Sequence, residues 1–125
     1  ADRRIERLLT RHLHQPDRGR FLLGEEGAGA WCADRRQWRQ AWQHSLFIVD
    51  PIDGTAPYGN RLPTWGISLG YARAGQLTEG AICLPATGEL LISSGAAVWY
   101  LRLAAGRVVS RRRLRPPARR FLRFG

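Results

Sequence analysis

The sequence predicts an α/β (α+β) domain in which a helix packs on a largely antiparallel sheet. Three observations carry that expectation. An apolar stripe at helical spacing, Ile5, Leu8, Leu9 and Leu13, opens the chain. Two short apolar runs, Phe21-Leu22-Leu23 and Leu46-Phe47-Ile48-Val49, have the length and bulk of buried strands. From Trp65 onward, alternating segments divided by turn residues read as strand–turn–strand.

Taken in order, the helix should cover residues 2–13, with Asp2 at the place of an N-cap. Gln15-Pro16-Asp17 ends it. His12 and His14 lie two apart, do not share a helical face, and are not read as metal ligands. The strand at 21–23 runs into Gly24-Glu25-Glu26, whose carboxylates taken alone are ordinary solvated loop charges. Residues 27–45 begin with Gly and Ala and continue with Trp31, Trp38 and Trp42 among Arg and Gln. Trp38 and Trp42 can share a helical face, so a partly buried helix is expected there rather than a base-stacking surface.

Asp50-Pro51-Ile52-Asp53-Gly54-Thr55 follows the second apolar run, and the strand is expected to end at Asp50. Pro51 fixes one backbone angle and Asp53-Gly54 favours a tight turn. Such a turn throws Asp50 and Asp53 to one side, together with the Ile52 carbonyl. Hard oxygens converging in this way suit Mg²⁺ or a similar cation. Past the turn, the amides of Gly54 and Thr55 can face an anion. The next segment, Ala56-Pro57, should disturb a helix starting at Thr55 or shift its start to Pro57. Strands are then expected at 66–72, 78–84, 89–93 and 98–103, with a turn at Ala74-Gly75.

The apolar strand followed by Asp-Pro-Ile-Asp-Gly-Thr resembles the signature of the inositol monophosphatase family of Mg²⁺-dependent, lithium-sensitive phosphomonoesterases. The likeness extends over residues 1–109. It implies that the sheet and helix are the N-terminal half of that family's αβαβα sandwich, and that 1–109 form a metal-binding domain. It also implies roles for individual residues. Glu25, Asp50, the Ile52 carbonyl and Asp53 would ligate two or three Mg²⁺ ions, with Glu26 beside them. Asp2 and Thr55 would orient the attacking water; the plainer reading of Asp2 is a helix cap. Asp53, Gly54 and Thr55 would bind the phosphate of a small-molecule monoester, whether inositol phosphate or a related sugar, nucleotide or histidinol phosphate. The family's Trp-Asp motif is absent from this sequence, so the chain is expected to bind Mg²⁺ weakly and to hydrolyse esters poorly.

Composition sets the outer bounds. The 125 residues suffice for one core. A hydrophobic fraction of 44% is that of a soluble globular chain. No apolar run approaches the roughly 18 residues that span a bilayer, and the charged start lacks the pattern of a signal peptide. Cys32 and Cys83 have no metal spacing and read as reduced thiols of a cytoplasmic protein. Net charge is +10, every one of the 20 basic residues being Arg. Met is absent, and the chain reads as an interior piece. Residues 110–125, rich in Arg and Pro, are expected to form a basic tail. That tail supports the alternative of a non-catalytic nucleic-acid-binding module. An uncovered sheet face would favour a homodimer.

Overall fold

A computed structural model describes residues 1–27 and 30–115. Its frame is a seven-stranded sheet in which every strand lies beside its neighbour in sequence. β1 (Arg20–Gly24) and β2 (Ser45–Asp53) run parallel. β3 (Gly66–Arg73), β4 (Gln76–Leu84), β5 (Glu89–Ser94), β6 (Ala97–Ala104) and β7 (Arg107–Leu114) continue antiparallel. The largely antiparallel sheet read from the sequence is therefore present.

Three α-helices accompany it among the described residues: α1 (Asp2–Leu13), α2 (Arg35–Gln43) and the short α3 (Thr55–Gly59). α1 stops where expected, with His14 as C-cap and Pro16 just beyond. Its N-cap, however, is Ala1; Asp2 is the first helical residue and caps nothing through its side chain. An acid there is favoured by the helix dipole, and it lies 3.8 Å from the terminal ammonium. α2 is capped by Asp34, which accepts the Arg36 amide at 2.9 Å. That bond holds the Asp34 carboxyl below the usual carboxylate range. No helix among the described residues is long and apolar enough to cross a membrane.

Register shows how the two longer helices share the sheet. Phe21 pairs with Leu46 and Leu46 with Ala72, so these three form one row on one face. All are buried, together with Ala41 of α2. The opposite face carries Leu22, Gly24 and Val49, and α1 covers it: a Cβ at Gly24 would meet Glu6 of α1. The helix is rotated from the stripe read in the sequence. Leu8 is 55% exposed, whereas Glu6 is buried at 4%. His14, Trp31, Trp38 and Trp42 stack in sequence, with centroid separations of 6.0–6.5 Å. The tryptophans thus stack on one another, as expected of a half-buried helix.

β7 is a departure from the expected tail: residues 110–114 belong to the sheet. Its cause is local. Ala105 and Gly106 both take positive φ (50° and 72°), the geometry of a two-residue type I′ hairpin, just as Ala74 and Gly75 do (49° and 78°). Pairing with β6 follows from that turn despite the run of arginines. The rest of the proposed tail, 116–125, lies outside the described residues.

Candidate active site

β2 does not end at Asp50; it runs through to Asp53. What replaces the expected turn is a bulge. Asp50 pairs with Ser68 and Asp53 with Gly66, so three steps on β2 face two on β3. In a regular strand, residues three apart point to opposite faces; the extra residue restores Asp53 to the side of Asp50. Pro51 fits because a bulge leaves one position without a ladder bond, and both Pro51 and Ile52 are buried. Ser68 donates its hydroxyl to Asp53 Oδ2 at 3.3 Å, a partner that no sequence motif announced.

The turn falls at Gly54, whose φ is +94°. A Cβ there would lie 3.1 Å from the Thr64 carbonyl oxygen, so glycine is needed on both counts. α3 begins directly at Thr55. Pro57 does not delay it, because the first-turn amides of a helix have no intrahelical partner to lose. Tyr58 N–H already donates to the Gly54 carbonyl at 3.0 Å. The Thr55 hydroxyl donates to the Ile52 carbonyl at 3.4 Å. Asp2 and Thr55 share no hydrogen bond; Asp2 faces the chain's amino group instead.

Parallel pairing brings the second acidic segment to the same end of the sheet. The ladder closes at Gly24↔Val49; Asp50 is the next residue on β2, and Glu25 is the first residue after β1. Glu26 turns toward α1, where Arg3 Nε approaches its carboxylate at 3.5 Å. Among the described residues, no three His, Cys, Asp or Glu side chains are gathered closely enough to cage a metal ion. The closed cluster that the sequence suggested is thus an open shelf. Separate partners hold its members: Ser68 for Asp53, and α1 for the turn bearing Glu25 and Glu26.

Asp50 is the exception. Its Oδ1 is buried and has no hydrogen-bond partner among the described residues. A buried carboxylate oxygen without a donor is an expensive arrangement. The other donors at this end of the sheet, two further carboxylates and the Ile52 carbonyl, are all hard oxygen. This chemistry fits a divalent cation.

A parallel strand pair thus ends in acidic residues, with a glycine turn and a helix start beside them, in an α/β frame. A family model described as the inositol monophosphatase family matches residues 1–114. The chain belongs to that family. It is 31% identical over 123 residues to an inositol-1-monophosphatase of Rhizobium meliloti, covering 98% of this chain and 40% of the relative. It is 34% identical over 92 residues to a histidinol-phosphatase of Chlorobaculum parvum, covering 72% of this chain and 31% of the relative. The crystal structure of the extragenic suppressor protein SuhB from Bartonella henselae superposes with a TM-score of 0.63 at 27% identity, covering 79% of this chain and 36% of that one. The chain spans 40% or less of the length of these relatives.

Proposed function

We propose that this chain supplies the metal- and phosphate-binding half of a Mg²⁺-dependent phosphoric monoester hydrolase of the inositol monophosphatase type. The observation that carries the reading is the buried, unpartnered Oδ1 of Asp50 at the shared end of β1 and β2. Glu25, Asp50 and the Ile52 carbonyl would hold one ion, and Asp50 with Asp53 a second, of two or three in all. A cation so held supplies a water of lowered pKa and stabilises charge on the leaving oxygen. Thr55, resting on the Ile52 carbonyl, would orient the attacking water together with Asp2. The amides of Gly54 and Thr55, with Asp53, receive the phosphate. Inositol phosphate is the favoured substrate class, with sugar, nucleotide and histidinol phosphates of the same chemistry. Two unbonded thiols, Cys32 and Cys83, favour a reducing, cytoplasmic setting.

The test is a Mg²⁺ titration of the whole chain and of Asp50→Asn, followed by amide chemical shifts and thermal unfolding. Asp50→Asn should keep the parent's stability in chelator, since the side chain keeps its shape, and should lose the Mg²⁺ response. A variant that responds to Mg²⁺ as the parent does would refute the reading. Hydrolysis of inositol 1-phosphate by the 125-residue chain should be slow.

A second reading, nucleic-acid binding, is favoured by β7. Arg111 and Arg112 lie 5.6 Å over the rings of Trp99 and Tyr100. None of Arg107, Arg111, Arg112, Arg113 and Arg115 pairs with a carboxylate among the described residues. Deleting residues 110–125 would unzip an edge strand, so the cleaner probe is Arg111, Arg112 and Arg113→Gln. Binding of a labelled single-stranded RNA should weaken and its salt dependence should flatten; equal affinity in parent and variant excludes this reading.

A further inference from the structure

We infer that Glu6 of α1 is a positioning residue that sets the Gly24-Glu25-Glu26 turn, and with it Glu25, against Asp50. This rests on the metal-site reading of Glu25 and Asp50 given above. Four observations converge on it. Glu6 is 4% exposed, the buried charged residue of the described chain. Its Oε2 accepts the Glu26 backbone N–H at 2.7 Å. Its carboxylate also occupies the space where a side chain at residue 24 would stand: a Cβ on Gly24 would be 2.8 Å from Oε1 and closer still to the rest of the group. Thr10 donates its hydroxyl to the Glu6 carbonyl at 2.7 Å, fixing the helix backbone from which the side chain reaches.

Together these contacts grip the turn on both sides of Glu25. Before it, Gly24 gives the carboxylate room to lie against the strand backbone. After it, the Glu26 amide is tied to the same carboxylate. Glu25 therefore has little backbone freedom even though its own side chain is exposed. A charge-assisted bond from a carboxylate to a backbone amide is among the stronger hydrogen bonds available, and a buried one is screened little by solvent. The outer ion pair of Arg3 with Glu26 is solvent-exposed and contributes much less. Glu6 thus joins α1 to the sheet at the site, which explains why the helix buries this residue and leaves Leu8 outside.

The experiment compares the whole chain with Glu6→Gln, Glu6→Asp and Gly24→Ala. It measures hydrogen exchange of the Glu26 amide and the Mg²⁺ dissociation constant from amide shifts. Gln retains an acceptor at the right reach, so Glu6→Gln should keep the Glu26 amide protected and Mg²⁺ affinity within about threefold. Asp keeps the charge but falls a methylene short, and Gly24→Ala displaces the carboxylate. Both should expose the Glu26 amide at least tenfold and weaken Mg²⁺ binding about tenfold to a hundredfold, the range seen when a supporting partner of a metal ligand is lost. Unchanged Glu26 protection in Glu6→Asp and Gly24→Ala would overturn the inference. So would lost protection with unchanged Mg²⁺ affinity, given that Asp50→Asn abolishes that affinity. If Asp50→Asn leaves Mg²⁺ binding intact, the metal reading falls instead, and with it the assignment of Glu6 to that site.

Discussion

The two ends of one sheet are built differently. α1 packs on β1 and β2 and α2 on β2 and β3, and these three strands hold the strand residues that are buried: Phe21, Leu22, Leu46, Val49, Pro51, Ile52, Gly66 and Ala72. β4 to β7 carry no buried residue at all; Leu77 is 70% exposed and Val109 63%. The same ladder of backbone bonds runs through both ends. The difference teaches that hydrogen bonding shapes the sheet, whereas helix cover supplies its apolar stabilisation. The acidic site grows from the covered end, where side chains are fixed on both sides.

The largest effect should come from breaking the covered end. Leu46→Ala removes a fully buried side chain from the row joining Phe21 to Ala72, and should cost about 2–5 kcal/mol. Urea unfolding measures it. Val109→Ala on β7 should stay within about 0.5 kcal/mol by the same method; similar losses at both positions would erase the contrast.

Next in size is Gly54→Ala, which places a Cβ against the Thr64 carbonyl at a φ of +94°. About 1–3 kcal/mol of strain is expected, read as a lower denaturation midpoint together with a shifted Thr55 amide resonance. An unshifted Thr55 would separate this turn from the site.

His14 sharpens the comparison through pH. Its Nδ1 accepts the Leu22 amide at 3.1 Å, and partial burial lowers its pKa from 6.5. Protonation would remove that acceptor. As pH falls below 6.5 the unfolded chain binds the proton first, so stability declines through the folded pKa, while above 6.5 this contribution is level. His14→Asn retains an acceptor that does not titrate, and should flatten the slope relative to the parent. His14→Leu strands the Leu22 amide at a cost of about 1–3 kcal/mol at every pH. Identical pH profiles in parent and His14→Asn would assign the slope to other groups.

Much of this architecture could be read from residue order. Strong local signals located α1, the strand at Phe21-Leu22-Leu23, the Trp38–Trp42 face and the meander from Gly66. β7 is hard to read from residue order because its arginines hide the strand alternation, even though Ala105-Gly106 repeats the turn at Ala74-Gly75. The bulge at Asp50–Asp53 has the residues of a turn, and only its long-range pairing with Ser68 and Gly66 makes it a bulge. Glu6 was invisible for a related reason. Nothing in a helical stripe marks a charged residue for burial until Gly24, far along the chain, leaves space for it. Ser68 and the orphaned oxygen of Asp50 likewise exist only through tertiary pairing.

Strand order has a kinetic consequence. From β3 onward each strand meets its successor through a short turn, so hairpins can close early and propagate by zippering. The joining of β1 to β2 must wait longest, for the chain to travel from Gly24 round through α2 to Ser45, and closing such an excursion carries a larger entropic barrier. The acidic shelf is therefore expected to be the last region to mature during folding. Pulse-labelled amide exchange should find Leu69 and Ala81 protected before Leu22, and the reverse order would rule out this sequence of events.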